Sequence, residues 1–518
     1  MPTFDSIQNV HLLISHRTTY ATSRTISDIL SGPVSRDLLC LLSVLSFAND
    51  EEKRFRTWSR SSLPAASKQT DTPENNERVV FGRLQIFECW KQLLVRASTV
   101  QEAKQNRTEL AGILHELFAK INDQKAEDDH HQFLANSSIQ FARDDYVYKL
   151  YRAQKVFLDG MHVAPYVAAF EKQNGFTVKM YLHVIFMIIS RCHLMRKVTS
   201  FHPENIDKWF IDLNQVSSDL KIDLVMLKKI MSKIAFTIDD GLALASDEKD
   251  YASFQLFRNC PFLKISDTCF LPIEGKLVEE LLFDNLLHRL RQEAGVDTQF
   301  YTDLGYDFEG YAQGLIEKFC SASNAISYEY IPEFKFGKSN SLSPDAMVRC
   351  EAEKTVVAFE VKSARYLDSV LTSKGAPQVV ADSFEKLRFK PWKQVHDAIA
   401  RIVGEKRHSR LTEGLMYLFV AVTMNEIPHS LQDYEINIHG TDRSYCFYSF
   451  GIHSLELLLI AANASKKYSL YDILRNAFSV RHKISNRTTF IRFLRREGGE
   501  SEFDKQIRME AISRVSLF

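Results

Sequence analysis

The chain reads as an α-helical N-terminal region followed by a C-terminal α/β core. Three observations predict this. Helical hydrophobic periodicity dominates residues 81–243, where glycine and proline are scarce. Residues 345–362 read as two short strands joined by a tight turn. Around that hairpin the patterns run helix, strand, hairpin, helix, strand. A length of 518 residues suits two or three domains. The expected partition is a mainly helical region at 1–255, a connecting segment at 256–294 and the α/β core at 295–518.

Residues 1–55 look helical, with Leu38, Leu39, Leu41, Leu42, Val44 and Leu45 crowded into one apolar segment. Residues 57–77 are polar and Ser/Pro-rich, which predicts a loop. Helical patterns follow at 87–97, 110–121, 144–160, 180–195 and 220–236. The most apolar run, 178–194, contains His183 and Arg191. It is too short and too polar to span a bilayer comfortably and predicts a buried helix, with no membrane partner. Strand-like pieces at 260–263 and 269–272 precede a helix at 275–293, where Leu277, Leu281, Leu282, Leu286 and Leu290 recur.

A further helical pattern opens at Phe308-Glu309-Gly310-Tyr311, with Phe308, Tyr311, Leu315 and Phe319 on one stripe. Residues 326–336 then read as a strand. Past the hairpin, Pro391 begins a helix whose apolar positions are Trp392, Val395, Ile399 and Ile402; proline suits a first helical turn. Residues 415–422 read as a buried strand, and 445–450 as another.

The hairpin carries the chemistry. With a two-residue turn at Ala352-Glu353, Glu351 faces Lys354, and the same register sets Asp345 directly opposite Glu360. Cross-strand neighbours on one face lie roughly 5 Å apart. Lys362 falls two residues beyond Glu360, on the same face by strand alternation. Ala346, Val348, Cys350, Val357 and Phe359 occupy the other face, which is the one expected to be buried. Two adjacent carboxylates repel, and one takes up a proton unless a cation lies between them. A hard divalent ion such as Mg²⁺ prefers oxygen ligands and keeps waters for a substrate phosphate. A lysine beside it can hold the attacking water or offset transition-state charge. These residue types point to phosphodiester hydrolysis.

Pro344-Asp345, then Glu360-Val361-Lys362 after fourteen intervening residues, resembles the motif of the PD-(D/E)XK nuclease superfamily, which includes many restriction endonucleases. The resemblance covers about residues 295–485. It implies a restriction-endonuclease-like core with a mixed central sheet flanked by helices. It also implies a metal-dependent nuclease, an endodeoxyribonuclease using Mg²⁺ (or Mn²⁺), with DNA ahead of RNA as the nucleic-acid partner. Asp345 and Glu360 would bind the metal, helped by the Val361 carbonyl, with Lys362 as the water-positioning group. Such nucleases often carry a glutamate on the helix before the sheet, a place that Glu309 matches. A glutamine on the helix after the Glu-x-Lys strand recurs, which singles out Gln394. Lys393, Glu329 and Glu333 are weaker candidates. Relatives with helical N-terminal regions often act in restriction or antiviral defence. A structure-selective DNA repair or recombination nuclease is one alternative, and a non-catalytic scaffold binding nucleic acid or protein is another.

Gly337-Lys338-Ser339 resembles the end of a phosphate-binding loop, but that motif needs a glycine where Pro332 stands, and a helix next. Lys+Arg and Asp+Glu balance at 65 each, so there is no global attraction to nucleic acid. Residues 354–410, however, hold twelve Lys/Arg against six Asp/Glu, and residues 481–518 nine against five. Basic surface near the hairpin would suit a phosphate backbone. The eight cysteines form no Cys-x-x-Cys pair, which suits reduced thiols in a cytoplasmic protein. His130-His131 has no second ligand cluster, so no zinc site is expected. The N-terminus lacks a positive-then-apolar signal pattern. The helical region carries no legible chemistry and is expected to be regulatory, serving a protein partner or homo-oligomer ahead of direct nucleic-acid binding.

Overall fold

The computed structural model describes residues 14–20, 22–31, 34–48, 79–96, 107–125, 145–199, 208–246, 254–295, 297–365, 376–426, 447–480, 486–497 and 500–515. The expected loop at 57–77 and His130-His131 lie outside these. The chain divides into two compact units. One gathers Leu150–Val167 with Ala294–Phe518; the other gathers His11–Lys149 with Ala168–Glu293. This corrects the linear partition. Residues 256–293 are part of the helical unit rather than a connector, and 150–167 belong with the α/β unit.

The helical unit contains Arg83–Leu94, Arg107–Lys125, Val178–Thr199 and Leu224–Ile234. A small sheet runs Ile211–Asp212, Cys269–Pro272, Phe262–Lys264, Ala235–Phe236 in spatial order. Its central pair is antiparallel, with Leu263 opposite Leu271. The helix expected at 220–236 is Leu224–Ile234; the last two residues of that span lie in a strand, and a separate helix ends at Leu220. Lys221 turns left-handed (φ 55°) after Leu213–Leu220, and Asp223 caps the next helix by accepting the Val225 N–H. The helix expected at 275–293 breaks, into Gly275–Glu280 and Asp284–Ala294. There the Leu281 and Leu282 amides reach back only three residues, to Val278 and Glu279, a tightened last turn. Among the described residues, Val178–Arg196 is the one helix long and apolar enough to cross a membrane. Its Tyr181, Leu182, Ile185, Ile189 and Cys192 are buried against the rest of the protein.

The α/β unit is built on five strands: β1 Glu329–Pro332, β2 Ala346–Cys350, β3 Thr355–Lys362, β4 Met416–Thr423 and β5 Phe447–Gly451. Their order is β5-β4-β3-β2-β1. The pairs β1–β2 and β2–β3 are antiparallel, while β3–β4 and β4–β5 are parallel. The sheet is therefore mixed, with helices on both faces. On one face lies α2, Lys390–Gly404, whose Trp392, Val395, Ile399 and Ile402 pack on Met347, Val356, Ala358, Phe419 and Phe447. On the other, α1 (Asp297–Ser321) lies against β1–β3, and α3 (Ile452–Ala464) against β4 and β5. Ala346, Val348, Val357 and Phe359 are buried as expected. The face of Asp345 and Glu360 is buried as well along most of its length. Parallel strands need crossover connections, and these bring helices onto both faces.

Two helix boundaries depart from expectation. α1 starts at Asp297, so Glu309 lies mid-helix, well away from the N-terminal dipole. Pro391 stands in the first turn of α2 as expected, but α2 is not preceded by a loop. A helical run extends from Pro377 through a π-turn at Glu385–Phe389 directly into α2. Proline lacks an N–H and crowds the carbonyl four residues back; the π-turn, in which Lys390 N–H bonds to Glu385 O, makes room for it.

Residues 150–167 are tied into this unit by buried polar contacts. Arg152 Nη2 lies 2.8 Å from Glu456 Oε1, with side chains 1 % and 0 % exposed. Tyr311 OH donates to the same oxygen at 2.7 Å, and His453 Nδ1 lies 3.1 Å from Oε2. A buried charge pair holds best when its carboxylate has further hydrogen-bond partners, as Glu456 has in Tyr311 and His453.

Candidate functional site

The hairpin register follows from its turn. Cys350 pairs with Thr355, Lys354 N–H bonds to Glu351 O at 3.1 Å, and Lys354 adopts a left-handed φ of 50°. The ladder then runs to Ala346 opposite Phe359, so the next position sets Asp345 against Glu360. This is the register read from the sequence. Asp345 Oδ2 accepts the Val361 N–H at 2.6 Å, and Lys362 Nζ donates to Glu360 Oε1 at 2.6 Å. Ser343 braces the approach. Its N–H bonds to Phe334 O and its hydroxyl accepts the Phe334 N–H, which fixes the chain just before Pro344-Asp345.

β3 is the central strand, and Thr423 of β4 lies beside Lys362. The cluster therefore sits where the parallel strands end, the usual ligand edge of an open α/β sheet. α1 crosses this edge with one face. Gly305, Glu309 and Gln313 recur at four-residue spacing, hence on one side of the helix. A Cβ on Gly305 would stand 3.4 Å from Ser363 Oγ, so helix and strand end are in close contact there. Gln313 Nε2 donates to the Asp345 carbonyl at 3.0 Å. Glu309 faces Asp345, Glu360 and Lys362.

The electrostatics are those of crowded acids around one cation. Burial and the Asp345 charge push the Glu360 carboxyl up to about 8, against the pull of Lys362. The ion pair alone would favour an ionised Glu360. At 2 % exposure, and with Asp345 and Glu309 close by, burial and repulsion outweigh it. Burial raises Asp345, although the Val361 N–H and Lys362 oppose it. Burial and Asp345 push Glu309 up to about 7. Burial also raises Glu333, and Asp345 adds to it. For Lys362, burial favours the neutral amine, but Glu360, Asp345 and Glu309 outweigh it and hold its pKa above the ordinary value.

The structure thus brings Asp345, Glu360 and Lys362 together, with Glu309 approaching from α1 and Glu333 in the same field. Among the described residues, no group of three or more His, Cys, Asp and Glu side chains is placed to hold a metal ion. Glu309 does not close a three-carboxylate set. Gln394 is exposed in the first turn of α2, beside exposed Lys393, and makes no hydrogen bond to the cluster among the described residues. Glu329 is engaged elsewhere, with Arg349 and Arg410. Of the basic segment, Lys386, Lys390, Lys393 and Arg401 are exposed along the helical run, whereas Arg388 is buried over the Phe384 and Trp392 rings. Gly337 and Lys338 lie in a turn between Lys335–Phe336 and Ser341–Leu342, with no helix following. Sequence reasoning missed Gln313 and Ser343. Gln313 carried a signal, since it follows Glu309 by one helical turn.

No family model matches the chain, and no curated protein or solved structure matches it.

Proposed function

We propose that this protein is a metal-dependent nuclease with a restriction-endonuclease-like core, hydrolysing phosphodiester bonds in nucleic acid, DNA ahead of RNA. One observation carries the reading: Asp345 and Glu360 meet across a fixed hairpin register, with Lys362 bonded to Glu360 at 2.6 Å. Asp345 and Glu360 offer hard carboxylate oxygens of the kind a divalent cation prefers, and the Val361 carbonyl would add a third; Glu309 lies in the same field without completing a three-carboxylate set among the described residues. A bound Mg²⁺ (or Mn²⁺) would supply charge neutralisation at the phosphoryl group and an acidified water. The chain's own residues do the rest. The Val361 N–H orients Asp345, Gln313 holds the strand end that carries it, and Lys362 supplies a mobile cation for water or a developing oxyanion. Exposed lysines of the α2 run offer contacts for flanking phosphates. A role in restriction or antiviral defence rests on analogy of motif alone, as does the alternative of a repair or recombination nuclease.

The scaffold alternative draws on a separate observation: the described acids do not form a three-ligand set, and Lys362 is engaged with Glu360. Cleavage assays separate the two. Supercoiled plasmid, linear duplex, single-stranded DNA and RNA are incubated with Mg²⁺, Mn²⁺ or EDTA. Metal-dependent cutting lost in Asp345→Ala supports the nuclease. Intact substrates throughout, with nucleic acid still bound, favour the scaffold.

A further inference from the structure

The segment that joins the α/β unit from far upstream ends beside the candidate site. Gly160 is pressed so close to α1 that a Cβ there would stand 2.6 Å from Asp307 Oδ2. His162 Nδ1 lies 2.9 Å from Asp307 Oδ1, and the Val163 N–H donates to Oδ2 at 2.8 Å. Tyr166 OH donates to Asp303 Oδ2 at 2.6 Å. These bonds fix the His162 ring against Tyr306, with centroids 5.0 Å apart. Tyr306 is nevertheless 55 % exposed, and Met161, which precedes His162 in the chain, 82 %. The Tyr306 ring is thus held against a fixed imidazole while much of its surface stays open to water, free for a further stacking contact.

Its position gives it a use. Tyr306 precedes Glu309 by three residues on α1, so the two side chains are surface neighbours, roughly 5–6 Å apart at Cβ. Gly305, next to it, touches Ser363, which follows Lys362 directly. The ring therefore borders the acid–lysine cluster. Asp303 and Asp307, three residues before it and one after it on α1, disfavour a phosphate nearby. An uncharged base face meets no such repulsion.

We infer that Tyr306, backed by His162, is a stacking platform for an unpaired nucleobase next to the scissile phosphate. The inference rests on the nuclease reading and narrows its substrate class to single strands, flaps or frayed ends. A paired base offers only its edges in the grooves, whereas an unpaired one offers its face.

Binding tests it without cutting. Full-length protein in EDTA is titrated with a fluorescein-labelled single strand and a hairpin duplex of the same composition. A second single strand carries 2-aminopurine, whose emission falls on stacking. Wild type is expected to prefer the single strand and to quench 2-aminopurine. Tyr306→Leu should weaken single-strand binding roughly 5- to 150-fold and abolish the quenching, while Tyr306→Phe retains both. Duplex binding should change little. The inference is overturned by unchanged affinity in Tyr306→Leu, by equal loss on both substrates, or by no single-strand binding in wild type. It is also overturned if Tyr306→Leu dissolves a dimer in light scattering while leaving oligonucleotide binding intact, because the patch would then serve a second copy of the chain. Stacking without metal-dependent cleavage would remove the nuclease reading alone. Cleavage that survives with no stacking would remove this inference alone.

Discussion

Replacing Glu360 with glutamine should flatten the pH dependence of stability in metal-free protein. Glu360 is 2 % exposed, and its carboxyl is pushed up to about 8 from an ordinary value of 4.5. Between those values the folded protein keeps a proton that the unfolded chain has released. That contribution is fully present below the unfolded value and is lost as pH rises through the folded one. Each tenfold difference in acidity between the two states corresponds to about 1.4 kcal/mol. Because the proton is shared with Asp345, we expect a loss of about 2–4 kcal/mol between pH 5 and 8. For a unit of this size that is roughly 5–15 °C in Tm. Glutamine cannot ionise. The two proteins should melt together at pH 5, where a protonated glutamate resembles the amide, and diverge at pH 8 with Glu360→Gln the more stable. Circular dichroism melts in EDTA at half-unit pH steps would show this. Adding Mg²⁺ at ten times its Kd should return about 1.4 kcal/mol to wild type at pH 8 and little to the variant. Parallel profiles from pH 5 to 8 would refute the reasoning. A variant less stable at pH 8 would mean that the bond to Lys362 dominates over burial.

Other expectations follow from the same geometry. Asp345→Ala or Glu360→Ala should lower Mg²⁺-dependent cleavage at least ~1,000-fold with the far-ultraviolet spectrum unchanged, measured by plasmid nicking. Lys362→Ala should still take up Mg²⁺ by calorimetry but lose ~100- to 1,000-fold in rate, since its task is charge and water placement. Arg152→Met strands the fully buried Glu456 carboxylate with only Tyr311 and His453. It should cost about 3–5 kcal/mol by urea denaturation, and a loss under ~1 kcal/mol would show that Glu456 is protonated or relieved otherwise.

The hairpin was legible because two-residue alternation and a tight turn leave one register that buries Val348, Val357 and Phe359 together. That register alone sets Asp345 against Glu360. Expected and observed strands at 415–422 and Met416–Thr423 also agree closely, because the run is apolar and ends at turn residues. What failed was reasoning that depended on distant packing. Pro391 marked the start of α2 correctly, but the helix and π-turn that run into it from Pro377 left no local signature. The expected helix start at 220 was three to four residues early, because Lys221 caps the preceding helix although lysine is a good helix former, and only its φ reveals that end. The allegiance of residues 150–167 was hidden because amphipathic spacing says that a face is buried, not which partner buries it. Gln394 was placed by analogy of motif. The rotation of α2 that seats Trp392, through its indole bond to the Tyr448 carbonyl, leaves Gln394 exposed.

The bond between Arg152 and Glu456 joins residues 304 positions apart. On a ribosome adding 5–20 residues per second, Arg152 emerges roughly 15–60 s before its partner exists. The intervening stretch from Ala168 to Glu293, which lies within the other unit, is complete long before then. Synthesis therefore imposes an order of events. The helical unit can be finished early, while the sheet bearing Asp345 and Glu360 stays without its buried keystone until α3 is made. A nascent chain released ahead of that moment would carry the acids and the lysine on an unsupported hairpin.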